Sequence, residues 1–246
     1  MNVSESYSAI QVKGRQATAV EDTVCTEDTF RLFLNDVPLA QVIASPDQLK
    51  ELGTGFVICE GLSREIKDVV VSGNDIKVYA QTNAKIDYEL RSSGCIGVRG
   101  LPGTVHSSLT IEARDVFRVI AQVESELWKK TGGAHCSVLF HDGELVVRST
   151  DIGRHNTVDK VVGFAHLHQM DLSQCVLGCT GRQPAGMIAK VANAGIPIVV
   201  SKAASTQAGI LLAERSKVTL VCFARGERFT VYAHADRIHG LGDAAT

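Results

Sequence analysis

Apolar strands alternate with helical patterns through the last third of the chain, and this alternation limits the folds that it can adopt. The strands are short and rich in Val, Ile, Leu and Cys, which is typical of strands buried on both faces. Strand–helix alternation of this kind is found in layered α/β cores. The sequence therefore predicts an α/β fold class with a mostly parallel sheet, formed by strand 175–179, helix 184–194, strand 196–201, helix 206–216, strand 218–223 and strand 229–233.

The segments before this region predict two helices and a hairpin. Strands 136–140 and 144–148 flank a turn at Asp142 and Gly143. A long helix over 111–130 ends where glycine can adopt the left-handed conformation. A second helix over 157–169 follows Asn156, which we expect to cap it, with Asp159 at the third helical position.

The first part of the chain reads as β-rich. Asn35 and Asp36 separate two alternating segments and predict a hairpin, and 68–80 predicts another. Ser45 and Pro46 are a favoured pair at a helix start, so a helix is expected over 46–62. Periodicity is then lost over 84–108, a glycine-rich loop that contains Cys95. We expect a β-rich N-terminal domain over 1–108 and an α/β cofactor-binding domain over 109–246.

Composition excludes some classes of function. Lys and Arg number 25 against 27 Asp and Glu, a net charge of −2, so nucleic acid is not an expected partner. There is no apolar run of the roughly 20 residues that cross a bilayer, so no membrane association is expected. The first residues do not resemble a secretory signal, and seven cysteines without a Cys-x-x-Cys pair fit thiols in a reducing compartment. We expect a cytoplasmic protein.

Cationic residues recur in the loops that follow the predicted strands. Because the carboxyl ends of parallel strands meet at one edge of a sheet, these loops should converge. Helices follow three of the four loops, and helix N-termini together with Arg side chains favour phosphate groups. The sequence thus predicts an anion or pyrophosphate site whose cationic members are Arg154, His155, Arg182, Lys202, Arg225 and Arg228.

Two further residues are candidates for chemistry. His135 is either a histidine with a structural hydrogen bond or a ligand-contacting group near Asp151 and His155. Cys95 lies between glycines in a polar loop, where a thiolate can be accessible and nucleophilic. His135, His155 and Cys95 match no zinc-binding spacing, so no metal site is expected.

Together these segments closely resemble the formate dehydrogenase accessory sulfurtransferase family (FdhD/NarQ). The most specific match is the run Asp-Ile-Gly-Arg-His-Asn-Thr-Val-Asp-Lys at 151–160. Further matches are Thr-Gly-Gly-Ala-His at 131–135, the Gly-Ile-Pro that precedes a strand at 195–201, and segment 219–232. The resemblance covers most of the chain and is weaker around Cys95.

The resemblance implies a sulfur carrier in the maturation of formate dehydrogenase. Cys95 would take persulfide sulfur from a cysteine desulfurase and pass it to the molybdenum cofactor bis(molybdopterin guanine dinucleotide), before the cofactor enters the dehydrogenase catalytic subunit. The resemblance also implies a three-layer, cytidine deaminase-like C-terminal domain and a homodimer. The family's guanine dinucleotide-binding segment corresponds here to Phe223, Ala224, Arg225, Gly226, Glu227 and Arg228.

The sequence departs from the family pattern at two places. The family has Cys-x-x-Cys in its loop, whereas Val98 stands at the second position here, so Cys95 would carry the persulfide alone. Pro184 and Gly186 stand where the family tends to have Ser and Glu. The first departure leaves open a chaperone that binds the cofactor without sulfur transfer. A divergent zinc deaminase is a further alternative, but the His-x-Glu and Pro-Cys-x-x-Cys signatures are missing.

Overall fold

In the computed structural model the described residues are 2–82 and 103–242, together with the backbone of two short strands between them. The strands are β1 Ser4–Lys13, β2 Gln16–Cys25, β3 Asp28–Leu34, β4 Val37–Ala44, β5 Glu65–Ser72, β6 Asp75–Gln81, β7 Tyr88–Leu90, β8 Ile96–Val98, β9 Ile111–Glu112, β10 His135–His141, β11 Glu144–Asp151, β12 Cys175–Cys179, β13 Ile198–Ser201, β14 Thr219–Arg225, β15 Arg228–Ala233 and β16 Ile238–His239. The helices are α1 Leu49–Cys59, α2 Ala113–Ala121, α3 Glu126–Thr131, α4 Arg154–Leu167, α5 Ala185–Ala194 and α6 Gln207–Ser216.

A six-stranded sheet with the order β11-β10-β12-β13-β14-β15 forms the centre of the C-terminal half. β12, β13 and β14 are parallel, as predicted, but the other three neighbouring pairs are antiparallel. The sheet is therefore mixed rather than mostly parallel. For two of these pairs the reason is local, because β10–β11 and β14–β15 are joined by tight turns, and a tight turn can connect only antiparallel strands. The third antiparallel pair, β10–β12, is not joined by a turn, since β11 and α4 lie between its strands in sequence.

Helices cover both faces of this sheet, which gives three layers. On β13, Val199 belongs to the core beneath α4, α5 and α6, while Ile198 and Val200 belong to the core beneath α2. This alternation is the period of two that places successive strand residues on opposite faces. The mixed α/β class is thus confirmed, whereas the cytidine deaminase-like assignment stays a prediction.

The β-rich N-terminal part forms a separate four-stranded sheet, with the order β4-β3-β6-β5, and α1 packs on it. The β3–β4 hairpin is confirmed, with φ of 51° and 62° at Asn35 and Asp36. The helix expected over 46–62 is shorter. It begins after Gln48, so Ser45 lies three residues before the cap position, and its side-chain oxygen does not accept a hydrogen bond from the helix. The Ser45 N–H donates instead to the carboxylate of Asp151.

Close contact between α1 and α4 joins the N-terminal sheet to the C-terminal layers. A Cβ atom added at Gly55 of α1 would lie 1.7 Å from the carbonyl oxygen of Asp159. One added at Gly163 of α4 would lie 1.9 Å from that of Glu51. Only glycine lets the two backbones approach this closely. The division at residue 108 stays a prediction, and the α1–α4 contact joins the parts on its two sides.

Two predicted helices differ from the observed ones. The helix expected over 111–130 is two helices, α2 and α3, because Ser125 accepts a hydrogen bond from the Trp128 N–H and starts a new helix. The helix expected from 157 begins at Arg154, so Asn156 lies within its first turn and is not the cap.

Other described segments were not foreseen. β1 and β2 form a long, largely exposed ribbon, and β7 and β8 pair within the loop predicted over 84–108. Within the described ranges, helices that combine the length and apolarity needed to span a membrane are absent.

Candidate functional site

The predicted cationic loops meet at one edge of the six-stranded sheet. β12 and β13 end there at Cys179 and Ser201. β10 runs antiparallel to β12, so its first residue, His135, lies at the same edge, paired with Asp151 at the end of β11. The topology therefore places Arg154, His155, Arg182 and Lys202 in loops around one region.

Hydrogen bonds between the loops fix this edge. The Lys202 N–H donates to the carbonyl of Cys179 at 3.0 Å, and the Phe223 N–H donates to that of Ala203 at 3.1 Å. The Ser201 hydroxyl donates to the carbonyl of Gly181 at 2.7 Å. The loops after β12, β13 and β14 are thus held against one another.

Much of the polar run at 151–160 has a structural role. The fully buried Asp151 accepts hydrogen bonds from the Gly153 N–H and the Asn156 amide, both at 2.8 Å, and its other oxygen lies 2.8 Å from Lys160 Nζ. Lys160 Nζ also lies 2.6 Å from Asp47 Oδ1. The acid and the lysine of the run therefore bind each other and the N-terminal part.

Two residues of the run 151–160, Arg154 and His155, are half-buried at the start of α4 and stay candidates for binding an anion. A Cβ atom at Gly181 would lie 2.8 Å from Arg154 Cβ, so the Arg154 side chain packs against the β12 loop. The contact brings the α4 start next to the loop that carries Arg182, whose own side chain is exposed.

A cavity of about 320 Å³ opens beside His135, and we call it the His135 cavity. It brings His135 together with Lys202, as the convergence of the loops predicts. Small side chains and glycines form much of the remaining wall. The cavity is lined by Val123, Glu124, Trp128, Gly132, Gly133, Ala134, His135, Ile152, Thr180 and Lys202.

Hydrogen bonding and burial fix the state of His135. Its Nδ1 lies 3.1 Å from the Thr180 hydroxyl, which also accepts the Cys136 N–H at 3.0 Å. Burial, and then the charge of Arg154, lower the pKa of His135, with Asp151 opposing them. The imidazole is therefore neutral near pH 7 and can serve as a hydrogen-bonding group.

A charged pair and an aromatic ring form another part of the cavity wall. Lys202 Nζ lies 2.5 Å from Glu124 Oε1 and 5.8 Å from the centroid of the Trp128 ring. The hydrogen bond from Lys202 lowers the pKa of Glu124, so this carboxylate is ionised near neutral pH. Sequence reasoning missed Glu124, Trp128 and Thr180. The one available signal was that Trp128 is the only tryptophan of the chain.

The segment expected to bind a guanine dinucleotide forms the end of β14 and the turn into β15. Arg225 pairs with Arg228 across this turn, and both side chains are exposed, as are Gly226 and Glu227. Phe223 is half-buried with φ of 53°, at an irregularity in the strand pairing. The side chain of Ala224 is fully buried, so this member of the set can offer a ligand only its backbone.

The described cysteines are poor candidates for a reactive thiol. Five of them are buried: Cys59, Cys136, Cys175, Cys179 and Cys222. Burial raises the pKa of each of these thiols. The pKa is about 12 for Cys136, Cys175 and Cys222, about 11 for Cys179, and well above its usual value for Cys59. Cys25 is half-buried, with its Sγ 3.1 Å from the Thr131 hydroxyl. Cys95 lies outside the described residues. The strand that follows it in sequence, β8, contacts β4.

Fold and site define an α/β protein in which cationic loops and a cavity gather at the carboxyl edge of a mixed sheet. The FdhD/NarQ family model matches residues 25–239. The chain is 34% identical to the sulfur carrier protein FdhD of Wolinella succinogenes over 238 residues, covering 89% of this chain and 83% of that protein. It is 33% identical to the sulfur carrier protein FdhD of Sulfolobus acidocaldarius, covering 93% and 96% of the two chains.

A solved structure shows the same architecture. A protein from Desulfotalea psychrophila, described as a candidate formate dehydrogenase accessory protein, matches with a TM-score of 0.82 at 27% identity, over 96% of this chain and 100% of its own. The chain therefore belongs to the FdhD/NarQ family, and the resemblance that its motifs predicted is confirmed.

Proposed function

We propose that this protein is a sulfur carrier required for formate dehydrogenase activity. The observation that carries the proposal is the family match over residues 25–239, together with relatives of 33–34% identity that are named sulfur carrier proteins. The cationic edge of the sheet supports it, because a carrier that loads a dinucleotide cofactor needs a site for its phosphates.

Cys95 is the sulfur-carrying residue in this proposal. Five other cysteines are buried with raised pKa values, and a thiol in that state is neither accessible nor ionised. The Cys95 thiolate would attack the outer sulfur of a cysteine desulfurase persulfide. One S–S bond forms at Cys95, the old one breaks, and the desulfurase cysteine leaves as a thiolate, so no outside oxidant or reductant is needed.

The recipient in this proposal is bis(molybdopterin guanine dinucleotide). Arg154, His155 and Arg182 surround the start of α4 and the β12 loop, and Arg225 and Arg228 flank the β14–β15 turn. Guanidinium groups bind phosphate oxygens through paired hydrogen bonds, so these positions fit the pyrophosphates of the cofactor. Lys202, His135 and the segment 223–228 complete the proposed set.

The remaining parts of the proposal concern partners and place. The sulfur donor would be a cysteine desulfurase and the final recipient the catalytic subunit of formate dehydrogenase. We also propose a homodimer that acts in the cytoplasm. These follow from the family resemblance.

Maturation of formate dehydrogenase tests the proposal in cells that lack this protein. We expect the wild-type chain and Cys25→Ala to restore formate dehydrogenase activity, and Cys95→Ala to fail. Cys25→Ala is the matched control, because Cys25 is the one cysteine among the described residues that is not fully buried. Restoration by Cys95→Ala would refute the carrier role. Failure of Arg225→Ala/Arg228→Ala in the same cells would then identify a cofactor-binding chaperone.

A further inference from the structure

Three buried side chains of the C-terminal part hold the end of β4 and the start of α1. We call this set the β4 clamp, and its members are Asp151 at the end of β11 and Asn156 and Lys160 in α4. The Asn156 amide donates to the Ile43 carbonyl at 2.8 Å, and Asp151 accepts the Ser45 N–H at 3.0 Å. Lys160 Nζ donates to the Ser45 carbonyl at 3.2 Å and to Asp47 at 2.6 Å. The clamp therefore binds the backbone at both sides of this connection.

Asn156 bridges β4 to Asp151 with both hydrogens of its amide nitrogen. One goes to the Ile43 carbonyl and the other to Asp151 Oδ1, each at 2.8 Å. A hydroxyl has one hydrogen to donate and a carboxylate has none, so neither could make this bridge. Asn156 is 8% exposed and Asp151 is fully buried, so water has little access to either bond. Without the amide, the Ile43 carbonyl would lose its partner and the end of β4 could shift.

β4 lies between two parts of the chain that the proposed function uses. It is an edge strand of the four-stranded sheet, where β3 is its neighbour on one side. At Ile43 it is bound by Asn156, which directly follows Arg154 and His155 in the first turn of α4. β4 also contacts β8, and β8 begins with the residue after Cys95. A shift of β4 would therefore change how the strand next to Cys95 lies relative to the start of α4.

We propose that Asn156 is a positioning residue, which together with Asp151 and Lys160 sets the place of the sulfur carrier relative to the cationic edge of the sheet. Sulfur has to pass from Cys95 to a cofactor held at that edge. A misplacement of about 1 Å can slow such a transfer by on the order of 100-fold. This role rests on the proposed function, because it concerns the alignment of the two parts that the function brings together.

Asn193 provides a matched control for Asn156. Its amide donates to the carbonyl of Cys59 at 3.0 Å, so it also joins a C-terminal helix, α5, to the N-terminal part. Asn193 and Asn156 are each 8% exposed. Cys59 is the last residue of α1, whereas Ile43 precedes that helix. Asn193→Ala therefore removes an equivalent bond at the end of α1 that is remote from the β4 clamp.

Sulfur loading and sulfur delivery are measured separately on the full-length protein. Loading is the mass gained at Cys95 after incubation with a cysteine desulfurase and cysteine. Delivery is the formate dehydrogenase activity restored in cells that lack the protein, divided by the amount of protein in those cells. We expect both variants to load within about twofold of wild type. Delivery should fall about 10- to 100-fold in Asn156→Ala and less than about twofold in Asn193→Ala.

Equal delivery by Asn156→Ala and Asn193→Ala would overturn the positioning role, and so would a loss of loading in Asn156→Ala alone. If Asn156→Ala does not fold, Asp47→Asn decides, because the Asp47 side chain is 34% exposed and this change weakens only its contact with Lys160. Its delivery should fall about two- to tenfold with unchanged loading, and wild-type delivery would overturn the role. Failure of the wild type itself to load would instead refute the sulfur carrier role.

Discussion

Replacing Gly163 with alanine tests the close contact that holds α4 against α1 of the N-terminal part. In a helix interior this change alone stabilises by about 1 kcal/mol, because alanine loses less backbone entropy. Here the added methyl would lie 1.9 Å from the carbonyl oxygen of Glu51, against an ordinary contact of about 3.4 Å. The helices would have to separate by more than 1 Å, and neither backbone can rotate away as a side chain could.

We expect the free energy of unfolding to fall by about 3 kcal/mol or more, which exceeds the propensity gain and reverses its sign. Urea denaturation followed by circular dichroism measures it. Gly186→Ala is the matched control, since Gly186 lies in α5 and its added Cβ would meet nothing within 4 Å. The control should be neutral or stabilised by up to about 1 kcal/mol. A Gly163→Ala protein as stable as the control would refute the close helix contact.

Three further predictions follow from the buried charges and the site. Lys190 Nζ lies 2.7 Å from Glu60 and 2.8 Å from Asp159, and all three side chains are nearly fully buried. Lys190→Met should therefore lower the free energy of unfolding by about 3–5 kcal/mol, measured by urea denaturation. A loss below about 1 kcal/mol would contradict the pairing. Burial raises the pKa of Asp159 from 3.8 to about 6, so the stability that this carboxyl contributes is full below about pH 4 and is lost as pH rises through 6. The difference in unfolding free energy between wild type and Asp159→Asn should change over that window, and a flat difference would show that the pKa is not raised. In an NMR titration the His135 midpoint should lie below 6.5 and rise in Arg154→Met, because the Arg154 charge helps to lower it; an unchanged midpoint would remove that cause.

The sequence correctly predicted the turns and strands whose conformation depends on their own residues. Asn35 and Asp36 mark their hairpin because both adopt positive φ, which few other residues do easily. The strand Cys175–Cys179 was predicted to the residue, since a fully buried strand is a continuous apolar run between turns. The break between α2 and α3 was missed, although Ser125 is a favoured cap, because the apolar period continues across it.

Long-range contacts account for the remaining errors. Ser45 and Asn156 were expected to cap helices, but both bind Asp151, and Asp151 lies 106 residues from Ser45 in sequence. The density of polar residues at 151–160 was correctly seen as unusual, yet the sequence could not show that Lys160 is matched by Asp47. For the same reason Glu124 and Trp128 were missed, because only the fold brings α3 to the edge that carries Lys202.

Intact-protein mass spectrometry after incubation with a cysteine desulfurase and cysteine tests the carrier role most directly. The account predicts that wild type and Cys25→Ala each gain the mass of one sulfur atom, that a reductant removes it, and that Cys95→Ala gains none. A sulfur gain that persists in Cys95→Ala, or no gain in wild type with a desulfurase that is active on another acceptor, would contradict the claim that Cys95 carries the sulfur.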